Sequence, residues 1–200
     1  MIKVGISGKI AAGKSEVEKI LLEMNYPVYD LDKLSHSLLE DNETVRKKVL
    51  EEFKTLDRKE LAKIVFSDLA KKEKLEKIIY PKLMQVISII FEKHKKDKIV
   101  FISGAMLFKS GFYKVFDKMI FVEANDDIRL ERLMKRNNLS KQDALKRLNL
   151  QDDCRGLPII IKNNSDMFYL SENTKEALEE IFSSQSFLKK VFSFLFDWFS

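Results

Sequence analysis

The chain has 200 residues, of which 45% are hydrophobic and 34% charged, and it contains only 6 glycines and 3 prolines. This composition fits one globular domain of ordinary length, and it excludes collagenous, low-complexity and disordered proteins. The 36 Lys and Arg residues exceed the 31 Asp and Glu residues by 5, an excess that suits an anionic small molecule as well as nucleic acid. The charge alone therefore does not identify the partner.

Membrane-spanning segments, signal peptides and cysteines in a sequence indicate the cellular compartment of a protein. No stretch approaches the ~20 apolar residues that a membrane span needs, and the first residues lack the basic-then-apolar order of a signal peptide. Cys154 is the only cysteine, so an intrachain disulfide is impossible. We therefore expect a soluble, cytoplasmic protein.

Short β-rich runs alternate with longer segments in which apolar residues recur three or four positions apart, which is the pattern of an α/β fold. The middle runs lack the alternation of a strand with one wet face, so they predict buried parallel strands. The predicted strands span residues 2–6, 27–30, 98–102, 118–122 and 158–161. The sequence therefore predicts a single domain with a five-stranded parallel sheet flanked by helices.

Two segments fall outside this alternation. Residues 32–96 predict only helices, with turns at 41–42 and 55–57 and a helix that starts at Pro81. This segment is too long for a simple crossover, so we expect a helical insertion at one rim of the sheet. The aromatic tail at 187–199 predicts a terminal helix packed on the body, with a membrane-surface helix as the less favoured alternative.

The first predicted strand runs directly into a segment that fits the phosphate-binding pattern G-x-x-x-x-G-K-[ST]: Gly8, Lys9, Ile10, Ala11, Ala12, Gly13, Lys14 and Ser15. A helical pattern follows. The two glycines let the backbone turn its N–H groups inward, and the helix N-terminus adds partial positive charge. Lys14 would reach the β and γ phosphates, and Ser15 would ligate Mg²⁺. The loop, with Glu16 after it, predicts a site for ATP and Mg²⁺.

The second predicted strand ends in Asp30 and Asp32, at the carboxyl edge where open α/β sheets bind ligands. A carboxylate there could accept the proton of an attacking hydroxyl or orient the metal. Asp32 is the better candidate, because it begins the next helix and so points out of the strand. The alternative is that it caps that helix. The neighbouring phosphate loop favours a role in the site.

After the fourth predicted strand, Arg132 and Arg136 fall four residues apart on one helical face. Ser140 and Asp143 form a capping box that opens a further helix. Arginines on such a helical hairpin suit a lid over transferring phosphates, which we place at about 126–155. The alternative is a solvated basic face.

Together these motifs resemble the dephospho-coenzyme A kinase family over roughly residues 2–180. Residues 56–66 (LDRKELAKIVF) resemble the family's Asp-Arg-x-x-Leu…Val-Phe element, and 75–81 (LEKIIYP) is similar to its Leu-Glu-x-Ile-x-His-Pro. Asn163 and the lid arginines fall where the family's late nucleotide-side and lid motifs lie. The main departures from the family pattern on the acceptor side are His36, Tyr80 and Lys109.

The resemblance implies a P-loop kinase that transfers the γ-phosphoryl group of ATP to the 3′-hydroxyl of dephospho-coenzyme A. Its implied site residues are Lys14, Arg132 and Arg136 for the phosphoryl group, Asp32 for the hydroxyl proton, Asp57 and Arg58 for the acceptor, and Asn163 for the nucleotide. Another small-molecule or nucleoside kinase is the alternative, and a GTPase or a nucleic-acid-binding module is less favoured. We expect a monomer, at most weakly oligomeric, without nucleic-acid or membrane partners.

Overall fold

The computed structural model describes residues 1–149 and 156–198, and it describes only the backbone of Phe66, Asn149 and 184–198. The prediction for the aromatic tail therefore falls on side chains outside the described part. Within that part, no helix has the length and apolar character required to cross a bilayer.

The strands form one sheet in which every neighbouring pair is parallel. Their order across the sheet is β2-β3-β1-β4-β5, so the strand that leads into the phosphate loop is central. The predicted five-stranded parallel sheet is confirmed. The strands are β1 (Ile2–Gly8), β2 (Val28–Asp30), β3 (Ile99–Ser103), β4 (Lys118–Glu123) and β5 (Ile159–Lys162).

Helices cover the sheet and fill the long connection between β2 and β3. They are α1 (Lys14–Glu23), α2 (Leu31–Asp41), α3 (Glu43–Phe53), α4 (Arg58–Ser67), α5 (Leu69–Lys93), α6 (Asp126–Asn137), α7 (Lys141–Asn149) and α8 (Met167–Trp198). The helices α2 to α5 lie between β2 and β3, in the segment for which the sequence predicts a helical insertion. Each begins at a side-chain cap, from Asp30, Asn42, Asp57 and Asp68 respectively, and such caps contribute about 1 kcal/mol each.

The prediction that a helix starts at Pro81 was wrong, because α5 runs through this residue. Proline inside a helix removes one backbone hydrogen bond and is normally costly. Burial of Ile79 and Leu83 on either side, and of Ile87 one turn later, offsets that cost. Tertiary packing therefore decides the helix boundary here.

The sheet separates two apolar cores. On one side Val17 and Leu21 of α1 belong to a cluster with β1, β4 and α8. On the other side Leu31 of α2 and Ile87 of α5 belong to a cluster with Ile102 of β3. Because the first residue of α2 is fully buried, the start of that helix is fixed at the carboxyl edge of the sheet.

Candidate active site

The phosphate loop joins β1 to α1 and takes two left-handed backbone conformations. Gly13 has a φ of 101°, and a Cβ there would lie 2.0 Å from Asn163 Nδ2, so any other residue would strain the backbone and displace the Asn163 amide. Ala11 is left-handed as well, with a φ of 60°. For Gly8 our interpretation was wrong: it lies within β1 outside the left-handed region. Glycine is needed there because a Cβ would meet the Val122 carbonyl oxygen at 2.7 Å.

Two side chains from outside the loop satisfy its carbonyl groups. Asn163 Nδ2 donates to the Ala12 oxygen at 2.8 Å, and Arg129 Nε donates to the Ile10 oxygen at 2.9 Å. Both side chains belong to buried residues, and Arg129 also pairs with Asp126 at 2.7 Å. Because the loop must leave its N–H groups for an anion, these contacts hold it in a binding shape.

Sequence reasoning missed Arg129. In a helix as charged as α6 it looks like one more solvated residue, and only the structure shows it to be 4% exposed. Asn163 was predicted to bind the nucleotide. It does line the cavity, but its amide is also engaged with the loop.

We expect Arg129→Gln to raise the KM for ATP about tenfold, with a smaller change in kcat, because a charge-assisted bond to the loop is lost. Steady-state kinetics at varied ATP would measure this split. Arg46→Gln, which changes an exposed arginine of α3, is the matched control. An unchanged KM would mean that Arg129 does not shape the loop.

A cavity of about 890 Å³ opens between the loop, the start of α1, the start of α2 and α6. Cations line it on two sides and suit a polyphosphate. They are Lys9, Lys14, Arg132, Lys135 and Arg136. Ser15 and Glu16 lie in the first turn of α1 and also line the cavity. The Glu16 carboxylate is already paired with Lys19 at 2.9 Å.

The structure distinguishes the two candidate carboxylates. Asp30 caps α2, accepting from the backbone N–H groups of Asp32 and Lys33 at 3.0 and 3.2 Å. Both residues line the cavity, but the Asp32 carboxylate takes no part in the cap and accepts a bond from the Ala105 backbone N–H at 3.3 Å. Burial raises the pKa of Asp32 above its ordinary value, although nearby Lys14 works against the shift. Such a carboxylate is suited to accept a proton.

Neither of the predicted acceptor residues is among the described residues that line the cavity. Asp57 caps α4, accepting from the backbone N–H groups of Lys59 and Glu60 at 2.9 Å. Arg58 extends to α2, where its Nη2 lies 3.0 Å from both ring nitrogens of His36. Since His36 follows Asp32 by one helical turn, Arg58 reaches the helix that carries the candidate base. An acceptor role for both residues stays a prediction.

The predicted lid arginines both line the cavity. Arg132 Nη1 donates to the Asn163 carbonyl oxygen at 3.2 Å, and exposed Arg136 bonds to Asn137 at 3.0 Å. One half of the predicted capping box of α7 is present, since the Asp143 backbone N–H donates to Ser140 Oγ at 3.2 Å, and the Ser140 hydroxyl donates to Asp143 Oδ2 at 2.7 Å. Residues 150–155 of the proposed lid lie outside the described part.

A phosphate loop at the carboxyl edge of a parallel sheet, with a carboxylate and arginines around one cavity, defines the chain as a P-loop kinase, an ATP-dependent phosphotransferase. The family model for dephospho-CoA kinase matches residues 2–166. The chain belongs to the dephospho-CoA kinase family.

Individual relatives agree along nearly the whole chain. The dephospho-CoA kinase of Fusobacterium nucleatum is 32% identical over 189 residues, which cover 89% of this chain and 97% of that protein. The structure of TT1252 from Thermus thermophilus aligns with a TM-score of 0.74 at 30% identity, covering 90% of this chain and 97% of that one. The dephospho-CoA kinase of Campylobacter jejuni aligns with a TM-score of 0.64 at 26% identity, covering 92% and 98%.

Proposed function

We propose that this chain transfers the γ-phosphoryl group of ATP to the 3′-hydroxyl of dephospho-coenzyme A, the last step of coenzyme A biosynthesis, as a cytoplasmic monomer. The observation that carries this assignment is the shared cavity of Lys14, Asp32 and the α6 arginines, in a chain of the dephospho-CoA kinase family. The triphosphate lies along the loop, and the acceptor approaches from the insertion side.

The residues of the cavity position the substrates and balance charge. The 3′-hydroxyl oxygen forms a bond to the γ-phosphorus. The bond between the γ-phosphorus and the β–γ bridging oxygen breaks, and ADP leaves with that oxygen. Asp32 accepts the hydroxyl proton, while Lys14, Arg132 and Arg136 stabilise the negative charge on the phosphoryl oxygens.

Mg²⁺ fits the oxygen donors of this cavity. The Ser15 hydroxyl and the Asp32 carboxylate both line it, and Mg²⁺ is held in such sites by one or two protein oxygens together with substrate phosphates. Ser15 would be the protein ligand, and the ion would neutralise charge on the β and γ phosphates.

We expect Arg58→Ala to raise the KM for dephospho-coenzyme A about tenfold and to leave the KM for ATP unchanged, because a charge-assisted contact to the acceptor phosphates is lost. Kinetics with each substrate varied in turn would test this. Lys59→Ala, a cation at the next position of α4, is the control. Equal changes in both KM values would contradict an acceptor-specific role.

The assignment itself is tested by ADP release with MgATP over a panel of acceptors. Efficient turnover of dephospho-coenzyme A is the expected result. The assignment fails if a nucleoside or nucleoside monophosphate is phosphorylated efficiently while dephospho-coenzyme A is untouched.

A further inference from the structure

The candidate phosphate-binding lysine is not free in this structure. Lys14 Nζ donates to Glu18 Oε1 at 2.8 Å and to Ser103 Oγ at 3.3 Å. Glu18 lies one turn further along α1 and is 8% exposed, and Ser103 at the end of β3 is fully buried. The ammonium is therefore held between α1 and β3, and Glu18 is a buried carboxylate that the proposed mechanism does not use.

This contact competes directly with a polyphosphate. An ammonium has three N–H donors, and two of them point to Glu18 and Ser103. To bind the β and γ phosphates, Lys14 has to give up part of this charge-assisted bonding. The buried carboxylate then loses its partner and adds its negative charge behind the phosphates, and both effects oppose binding.

We propose that Glu18 is a positioning residue that holds Lys14 at the wall of the cavity and thereby weakens the binding of nucleotides that carry β and γ phosphates. The inference rests on the proposed function, in which Lys14 contacts those phosphates. The proposed contact affects nucleotides differently according to the number of phosphates they carry. ATP has to take Lys14 from Glu18, whereas AMP, which has only an α phosphate, does not.

The test compares Glu18→Gln with wild type by calorimetric binding of MgATP and of AMP. Glutamine keeps the size of the side chain and loses its charge, so we expect the Kd for MgATP to fall about tenfold. The Kd for AMP should stay within about twofold of wild type. Glu23→Gln is the matched control, because it removes the same charge from the exposed end of the same helix.

An unchanged or weaker affinity of Glu18→Gln for MgATP would overturn the inference, as would an equal change for ATP and AMP, which indicates a structural role only. Thermal unfolding checks that the variant is folded. If it is not, Glu18→Asp, which keeps the charge but shortens its reach, should tighten MgATP in the same direction. Wild-type protein that binds no MgATP would instead refute the proposed function, so the two failures are distinguishable.

Discussion

The Lys14→Met variant should lose about 10³-fold in kcat with MgATP and dephospho-coenzyme A. In the wild type, the Lys14 ammonium lies in a partly enclosed cavity, where a charge that stabilises the transition state contributes several kcal/mol. Single-turnover measurement of phosphoryl transfer, with ATP saturating, separates this loss from weaker binding. A variant that keeps most of the wild-type rate would remove Lys14 from the mechanism.

The same variant should also be less stable, because it leaves the buried Glu18 carboxylate without its partner. The side chains of Lys14 and Glu18 are only 17% and 10% exposed, and breaking such a pair from one side costs about 3 kcal/mol. Lys14→Met combined with Glu18→Gln should regain most of the free energy of unfolding but none of the activity. This double variant shows that the lost rate is not a consequence of unfolding.

The sequence predicts the sheet and the loop well because both depend on contiguous residues. A buried parallel strand is a local apolar run, and the loop pattern fixes the positions of Gly13, Lys14 and Ser15 within a few residues of each other. The candidate base was also found by proximity, since Asp32 follows directly on a strand whose carboxyl end meets the loop edge.

The rest of the site depends on contacts between distant segments. Arg129 reaches the loop across 119 positions, and Ser103 reaches Lys14 across 89, so no local pattern reveals either. Glu18 is buried as well, although nothing in the local sequence distinguishes it from a solvated helix residue. Pro81 shows the same limit, since burial overrides a strong local preference.

Asp32→Asn should lower kcat with dephospho-coenzyme A by about 10²-fold or more, because general-base catalysis is worth ~10²–10⁴ and the amide cannot accept the proton. The affinity for ATP should change little. Asp41→Asn is the matched control, since it removes the same charge from the exposed far end of the same helix, away from the cavity lining. An Asp32→Asn rate within a few fold of that control would exclude Asp32 as the base.

The stability difference between Asp32→Asn and wild type should depend on pH, because the wild-type Asp32 carboxyl has a raised pKa, whose largest cause is burial. The folded state binds the proton more tightly than the unfolded state, so the carboxyl stabilises the fold at low pH, and this contribution is lost as the pH rises through the folded-state pKa. At neutral pH, Asp32→Asn should therefore have a higher Tm than wild type. The difference should vanish in acid below the ordinary carboxyl pKa of 3.8. Wild-type kcat/KM for dephospho-coenzyme A should fall on acidification at a pH above that value, because kcat/KM reports the ionisation of the free enzyme. A Tm difference that grows in acid would contradict the assignment.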